Sequence, residues 1–206
     1  MPYSDEVFDA VMKAMIAKVD PDKVLDIGPG AGKYGFMLRA IESDRGRPIH
    51  KICVEIDAKH VIERFALDRI YDEIIHMDAA KLVKQRPTLV GDLAIAGDVI
   101  EHMTKSEGSD LVEYLQYRFR HIFLVIPVDW QVLDWEDHEH EAHIAIWRKE
   151  DFSRFEGAYC VERRSGDGHR FLLACVNSIL LPATDWFVVR DAGPENDQIE
   201  VGYFNT

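Results

Sequence analysis

The chain has 206 residues, of which 37 are acidic and 24 basic, and its formal net charge is −13 when histidine is neutral. A field of this sign repels polyanions, so we expect no non-specific binding to nucleic acid and none to an anionic membrane surface. Hydrophobic residues make up 47% of the chain, and no apolar run approaches the ~20 residues that cross a bilayer. We therefore expect one globular domain over residues 1–206.

The three cysteines, Cys53, Cys160 and Cys175, are an odd number and show no CxxC spacing. The first and last lie in apolar runs, where a reduced thiol behaves as a small hydrophobic side chain. No N-terminal stretch combines a basic start with an apolar run of signal-peptide length. These features predict a cytoplasmic protein.

The predicted elements alternate along the first two thirds of the chain. Ser4 is a candidate cap for the first helix, which carries Val7, Val11, Ala14 and Met15 on one face. Strands are predicted from apolar runs bounded by turn residues, and helices from apolar residues three and four apart. The predicted helices are 5–18, 33–42, 59–67, 79–85 and 110–119, and the predicted strands are 23–28, 49–57, 72–78, the start of 91–103, and 121–128.

This alternation predicts an α/β fold, doubly wound, with a mostly parallel sheet covered by helices on both faces. After residue 150, two apolar runs flank the Gly-Asp-Gly of residues 166–168, which is a hairpin signal. We expect a seven-stranded sheet with an antiparallel C-terminal hairpin, and a further strand at DWFVVR is possible on its pattern. The predicted organisation is an N-terminal helix (1–20), a cofactor-binding core (23–128), a substrate lid loop (129–150), and a closing hairpin with a C-terminal extension (151–206).

The stretch VLDIGPGAGKYG, residues 24–35, places four glycines directly after the first predicted strand. A loop that leaves a strand and opens a helix offers free backbone N–H groups, and glycines let a ligand approach the main chain. A phosphate-binding P-loop would need GxxxxGK and then Ser or Thr, whereas Tyr34 follows Lys33 here. The dinucleotide pattern GxGxxG has Lys33 in place of its third glycine, which weakens that alternative. S-adenosylmethionine has no pyrophosphate and is the third candidate.

In sequence order, four stretches resemble the motifs of class I S-adenosylmethionine-dependent methyltransferases. VLDIGPGAGKYG resembles their first motif, ICVEID their acidic site at the second strand, IIHMDA their adenine loop, and DLAIAGDVIEHM their DVLEH-like strand and loop. The resemblance covers residues 23–128, and the later hairpin fits the end of the family's sheet. It implies that S-adenosyl-L-methionine is the cofactor.

The resemblance also implies which residues bind this cofactor. Glu55 would accept hydrogen bonds from the ribose hydroxyls, Asp78 from the adenine amino group, and Asp98 would contact the methionine part, while Asp26 would orient the turn or the cofactor's amino group. Taken singly, such acids are more often strand-end caps or solvated side chains. The predicted cofactor-binding set is Asp26, Gly28, Pro29, Gly30, Tyr34, Glu55, Ile56, Met77, Asp78, Ala79, Asp98 and Val99.

The segment DWQVLDWEDHEHEAHIAIW, residues 129–147, follows the fifth strand and so leaves the ligand edge of the sheet. Glu141, His143 and Trp147 match an E-x-H pattern, followed by Trp, in relatives that act on sugars or small natural products. We predict His143 as the base or orienting group, with His102 second and Glu141 third among the catalytic residues. An ordinary loop histidine bonded to an acid is an equal alternative for His143.

Two further interpretations of this segment stay open. The HxHxxH spacing of His138, His140 and His143 suits a divalent metal, but surface runs of acids and histidines are common, and we predict no metal ligands. Trp130, Trp135 and Trp147 are candidates to wall a ring-shaped acceptor, although tryptophans more often pack in the core.

The predicted function is methyl transfer from S-adenosylmethionine to an oxygen or nitrogen of a small molecule, such as a sugar or a secondary metabolite. The acidic lid favours a neutral or cationic acceptor over a phosphorylated one. One alternative is a regulatory protein that binds the cofactor without catalysis. Another is a nicotinamide-dependent oxidoreductase, because dinucleotide folds also place an acid after the second strand.

Overall fold

The computed structural model describes residues 5–129, 142–192 and 198–204, and its elements follow the predicted order. The helices are α1 (Asp9–Val19), α2 (Lys33–Arg45), α3 (Ala58–Phe65), α4 (Leu82–Gln85) and α5 (Lys105–Gln116). The strands are β1 (Lys23–Ile27), β2 (His50–Glu55), β3 (Glu73–His76), β4 (Gly91–Gly97), β5 (Phe119–Pro127), β6 (Ala158–Arg164), β7 (Arg170–Asn177), β8 (Phe187–Asp191) and β9 (Ile199–Tyr203).

The main sheet has seven strands in the order β3-β2-β1-β4-β5-β7-β6. The first five strands in that order run parallel to one another, and β7 pairs antiparallel with both β5 and β6. This arrangement confirms the predicted fold, including the hairpin at the end of the chain. The strand predicted at DWFVVR is β8, which pairs with β9 in a separate two-stranded sheet.

Both faces of the main sheet are buried, because alternate residues of its strands pack into two hydrophobic clusters. Leu25 and Ala94 belong to the cluster that contains α5, whereas Val24 and Leu93 belong to the cluster that contains α1 and α2. Strands that are buried on both faces have continuous apolar sequences, and the strands of this sheet follow that rule. Among the described residues, no helix is long and apolar enough to cross a membrane.

Two helices start four or five residues away from the predicted position. The first helix begins at Asp9 and not at Asp5, and the predicted cap Ser4 lies outside the described residues. The last helix begins at Lys105, five residues earlier than predicted, because Thr104 and Glu107 form a capping box. The Glu107 N–H donates to the Thr104 hydroxyl, and the Glu107 carboxylate accepts from the Thr104 N–H, so two otherwise unpaired donors are satisfied.

The strand order reverses between β1 and β4, which lie side by side although β2 and β3 intervene in sequence. In open α/β sheets, ligands bind beyond the carboxyl ends of the strands at such a reversal. The fold therefore points to the segments that follow β1 and β4 as the position of the site.

Candidate active site

The register of the sheet brings the ends of three strands to one level. Ile27 of β1 lies opposite Val54 of β2 on one side and Ala96 of β4 on the other. The residues that follow these positions, Gly28, Glu55 and Gly97, therefore lie next to one another at the carboxyl edge.

The glycine turn adopts backbone conformations that side chains disfavour. Gly28, Gly30 and Gly32 have φ of +63°, +51° and +85°. A Cβ atom at Gly28 would lie 2.7 Å from Cγ2 of Val99, which follows β4. Glycine is needed at position 28 both for this left-handed conformation and for the close approach of the β4 exit loop.

The turn leads directly into α2, whose N-cap is Gly32 and whose first turn has no side-chain cap. The first four N–H groups of a helix lack intrahelical acceptors and form its positive end. One of them, the Gly35 N–H, donates to the Tyr71 hydroxyl at 3.1 Å. The remaining bare backbone is suited to a carboxylate or another electronegative group of a ligand.

Glu55 closes β2 with its side chain only 8% exposed. Its Oε1 accepts the Asp57 N–H at 2.8 Å, which fixes the carboxylate at the edge. The next residue, Ile56, is 44% exposed, and its carbonyl oxygen is 2.9 Å from the His76 ring. A held carboxylate beside an exposed apolar side chain can bind a diol and the face of a planar ring.

Asp78 follows β3, where the structure uses it as the N-cap of the 3-10 turn Ala79–Lys81. Its Oδ1 accepts the Ala80 N–H at 3.0 Å, and its Oδ2 lies 3.7 Å from the Lys81 ammonium. Met77 is partly buried and Ala79 buried beside it. Asp78 thus has the capping role expected of such acids, and its partly exposed carboxylate can accept a further hydrogen bond.

Asp98 follows β4 with φ of +53°, a conformation uncommon for any residue but glycine. Its N–H donates to the Val125 carbonyl at 2.9 Å, so the chain is turned out of the sheet while still tied to β5. Backbone conformations of this kind cost about 1 kcal/mol or more and are concentrated at functional sites. The turn places Val99 against Gly28, and the two predicted cofactor segments meet there.

Three members of the predicted cofactor set lie beneath the turn and not on its surface. Asp26 is fully buried, Tyr34 is 3% exposed with its hydroxyl packed against Gly97, and Pro29 is buried with its carbonyl bonded to the Gly32 N–H. Their side chains support the turn from below. Direct contact with a ligand is therefore expected from the other predicted residues.

Away from the glycine turn, Glu101, His102 and His143 form a cluster. One potential ligand atom from each lies within 4.8 Å of the others, so the three could hold a metal ion. The two imidazole rings have centroids 4.8 Å apart and are nearly perpendicular. The structure thus brings together the two histidines that the sequence predicted as catalytic, and adds Glu101, which the sequence analysis did not single out.

Backbone hydrogen bonds hold the two parts of this cluster together. The Glu101 carbonyl accepts the N–H groups of Ile144 and Ala145 at 2.9 and 3.1 Å. The His102 ring is 3.2 Å from the Ala142 carbonyl oxygen. The segment that carries His143 is therefore fastened to the 3-10 turn Ile100–His102, and the pairing of the two histidines is built into the main chain.

Glu101 is 1% exposed, and neither carboxylate oxygen has a hydrogen-bond partner among the described residues. Burial and the charge of Asp98 raise its pKa well above the ordinary value, while the backbone N–H groups of Glu101 and Val99 oppose this rise. A buried carboxyl of this kind is kept in its neutral form by desolvation, and a bound cation would favour its charged form. The sequence predicted no metal ligands, and that stays a prediction.

Trp147 does not line a pocket, contrary to one interpretation of the acidic segment. It is 1% exposed, its indole N–H donates to the Ile100 carbonyl at 3.0 Å, and its ring is so close to Gly108 that a Cβ there would lie 2.5 Å from Cζ2. It is a core residue that supports the 3-10 turn of the cluster. Glu141, His138, His140, Trp130 and Trp135 lie outside the described residues.

No model of a protein family matches the chain, and no curated protein matches its sequence. Solved structures do match. The methyltransferase domain of bacterial CtHen1 has a TM-score of 0.56 at 16% identity, covering 82% of this chain and 96% of that one. The N-terminal domain of EvdMO1, solved with SAH bound, has a TM-score of 0.59 at 11% identity, covering 82% and 80%.

A third match is a SAM-dependent methyltransferase from Archaeoglobus fulgidus, with a TM-score of 0.54 at 14% identity, covering 82% of this chain and 93% of that one. These identities are low, so the similarity concerns the arrangement of the chain. Together with the strand order and the glycine turn at the reversal point, it leads to one conclusion: the chain has the fold of the class I S-adenosylmethionine-dependent methyltransferases.

Proposed function

We propose that the chain is an S-adenosylmethionine-dependent methyltransferase that acts on an oxygen or nitrogen of a small molecule. In this reaction the acceptor attacks the methyl carbon in line with the departing sulfur, so a C–O or C–N bond forms as the C–S bond breaks. S-adenosylhomocysteine leaves, and the acceptor loses a proton. The protein mainly positions the two reactants and receives that proton.

The observation that carries the proposal is the row of four strand ends, of β3, β2, β1 and β4, along the carboxyl edge of the sheet beside its reversal point. The bare glycine turn suits the amino-acid part of the cofactor, and Glu55 is held as an acceptor for the ribose hydroxyls. Asp78 stands at the next strand end for the adenine, and Asp98 directly precedes Val99, which packs against Gly28. The glycine turn supports S-adenosylmethionine over a dinucleotide, because Lys33 occupies the third glycine position of the dinucleotide pattern.

The Glu101 cluster supports catalysis over binding alone. His143 or His102 would accept the acceptor's proton, since an unperturbed imidazole titrates near neutral pH. Alternatively, a divalent cation such as Mn²⁺ or Zn²⁺ would fit the carboxylate and two imidazoles of Glu101, His102 and His143, and the two histidines would then act as ligands and not as the base. When bound, such an ion lowers the pKa of a coordinated hydroxyl, which favours an oxygen acceptor.

The acceptor class is proposed from charge and from one structural neighbour. EvdMO1 was also solved in the presence of SAH and D-fucose, and a sugar or similar polyol is the acceptor that we propose here. The net charge of −13 disfavours phosphorylated acceptors.

The first experiment compares ligands by thermal shift with the full chain. S-adenosylhomocysteine should raise the midpoint and NAD should not, since linkage stabilises a protein only through ligands that bind its folded state. Stabilisation by NAD alone would overturn the proposal. Turnover of methyl-labelled cofactor with a panel of sugars and polyols then separates an enzyme from a protein that only binds.

The second experiment measures metal binding directly. Titration with Mn²⁺ in a calorimeter should show one site in the wild type and its loss in Glu101→Gln, which keeps the side-chain shape. Glu63→Gln, at an exposed position on α3, is the matched control and should bind like the wild type. Equal binding by all three proteins would remove Glu101 from the metal site without touching the methyltransferase proposal.

A further inference from the structure

Lys33, which takes the place of the third glycine of the dinucleotide pattern, makes its contacts with the segment that leads into α1. Its ammonium donates to the Asp5 carbonyl at 2.6 Å and lies 2.5 Å from Oδ1 of Asp9. The side chains of Lys33 and Asp9 are only 22% and 34% exposed. Charge-assisted contacts of this kind hold residues 5–8, called here the pre-helix segment, against the helix that carries Lys33.

The position of Lys33 makes this contact unusual. Lys33 is the first residue of α2, directly after the N-cap Gly32. A cation is disfavoured there, because the unpaired N–H groups of a first helical turn form its positive end. Asp9 offsets this cost, and it lies in the first turn of α1, where a carboxylate is favoured. The ion pair therefore joins the amino ends of two helices beside the glycine turn.

The pre-helix segment also packs against the core beneath the turn. Phe8 is 1% exposed and belongs to the hydrophobic cluster that contains Tyr34 of α2. The Tyr34 ring centroid is 5.7 Å from the Lys33 ammonium, and its hydroxyl packs against Gly97 at the end of β4. A continuous set of contacts thus runs from the pre-helix segment to the exit of β4.

We propose that the pre-helix segment is a wall of the cofactor site and that Lys33 is the positioning residue that holds it there. This inference rests on the proposed function. The Asp5 carbonyl lies within reach of one lysine side chain from the first turn of α2, and that turn supplies bare backbone to the site. A wall that is already in place does not have to be ordered when the cofactor binds, so the affinity is not reduced by that cost.

The size of the effect depends on the fraction of molecules in which the segment is in place. Loss of the ion pair and of the hydrogen bond to Asp5 changes that equilibrium on the order of 30-fold. We expect the segment to stay in place in roughly a tenth to a third of the molecules when Lys33 is replaced. The apparent dissociation constant rises as the inverse of that fraction, by about three- to tenfold.

The test combines calorimetric titration of the full chain with S-adenosylhomocysteine and hydrogen exchange of the segment. Lys33→Met, which keeps the apolar part of the side chain, should raise the dissociation constant by about three- to tenfold. The Val7 and Asp9 amides donate to Oδ1 of Asp5 and to the Glu6 carbonyl at 2.7 and 3.0 Å. In ligand-free Lys33→Met they should exchange about tenfold faster, and saturating ligand should restore their protection.

Two further variants of the ion pair sharpen the test. Lys33→Arg keeps the cation and should recover most of the affinity. Asp9→Asn leaves the hydrogen bond to the Asp5 carbonyl, so it should weaken binding less than Lys33→Met does. The double variant, Asp9→Asn with Lys33→Met, should bind no more weakly than Lys33→Met alone, because the two side chains act through one contact.

Lys18→Met is the matched control, since it removes another lysine hydrogen bond of α1, to the Val201 carbonyl at 3.0 Å, at the opposite end of that helix. It should bind S-adenosylhomocysteine like the wild type. Lys33→Met with fast exchange but an unchanged dissociation constant would place the segment outside the site and overturn the inference alone. Unchanged exchange in Lys33→Met would do the same, because the segment would then be held without Lys33.

The wild type decides the matter even if a variant does not fold. Bound S-adenosylhomocysteine should slow exchange of the Val7 and Asp9 amides, because it stabilises the form in which the segment is in place. Equal exchange with and without bound ligand would contradict the inference and leave the proposed function standing. If the wild type binds no S-adenosylhomocysteine, the proposed function fails and this inference falls with it.

Discussion

The two sides of the candidate site each contain a buried carboxylate, but in different surroundings. Asp26, beneath the glycine turn, is held by the Tyr71 hydroxyl, and its other oxygen has no donor in the described part of the chain. Glu101, beside the two histidines, has no donor for either oxygen among the described residues. Both pay a desolvation penalty that a hydrophobic residue would avoid.

The difference indicates how complete each side is without ligand. The Asp26 side is a hydrogen-bonded network whose parts come from β1, α2 and the loop before β3, so the chain itself defines the cofactor edge. The Glu101 side brings an acid and two imidazoles together, with one potential ligand atom from each within 4.8 Å of the others. We infer that the cofactor edge is preformed.

The largest expected effect belongs to the acceptor side. His143→Ala should lower turnover by about 100-fold or more, the usual size for a lost acid–base group, and should leave the dissociation constant of S-adenosylhomocysteine unchanged. Steady-state kinetics and calorimetry measure the two quantities. His169→Ala, at an exposed position in the turn between β6 and β7, is the control, and full activity in His143→Ala would exclude this residue from the chemistry.

The cofactor side should give the opposite pattern. Glu55→Ala removes charge-assisted hydrogen bonds to the ribose and should weaken cofactor binding by about 2 kcal/mol, or ~30-fold. Turnover at saturating cofactor should change much less. Glu63→Ala, on the exposed face of α3, controls for the loss of one negative charge. An unchanged dissociation constant in Glu55→Ala would mean that the ribose is held elsewhere.

Substitution of Trp147 measures how much this buried side chain contributes to the stability of the fold beneath the acceptor side. Trp147→Phe removes the hydrogen bond to the Ile100 carbonyl and leaves a small cavity, so unfolding in urea should require about 1–2 kcal/mol less free energy. Trp186→Phe also loses an indole hydrogen bond, to Leu181, but at a partly exposed position. It should be less destabilised, and equal losses would show that Trp147 has no special role beneath the cluster.

The last effect depends on pH and concerns the stability of the ligand-free protein. Burial raises the pKa of Asp26 in the folded state to about 7 from an ordinary value of 3.8. The group's contribution to stability is therefore complete below about pH 4 and is lost as pH rises through 7. Relative to the wild type, Asp26→Asn should become more stable from pH 5 to about 7, by no more than about 1.4 kcal/mol per pH unit, and the difference should level off above pH 7.

Urea denaturation at each pH measures this difference. Asp44→Asn, at an exposed position on α2, should show a constant offset from the wild type over the same range. A constant offset for Asp26→Asn as well would show that Asp26 does not titrate in this window.

Much of the fold and of the cofactor edge could be predicted from local patterns. Apolar runs bounded by turn residues located every parallel strand, and the order of the glycine turn, Glu55, Asp78 and Asp98 along the chain placed them at one edge. Hydrophobic periodicity alone places the start of α5 five residues too late, although Thr104 and Glu107 carry the T-x-x-E signal of a capping box.

The sequence by itself determined which segments form strands and which residues reach the carboxyl edge, because strand periodicity, glycine conformation and helix capping are set by neighbours a few positions apart. Only the tertiary structure decided that Trp147 is buried, that Glu101 is buried beside His143, and that Tyr71 bonds Asp26. These pairs are 42 and 45 residues apart in the chain, taking Glu101 with His143 and Tyr71 with Asp26. Their contacts arise from the packing of whole elements, which no local pattern encodes.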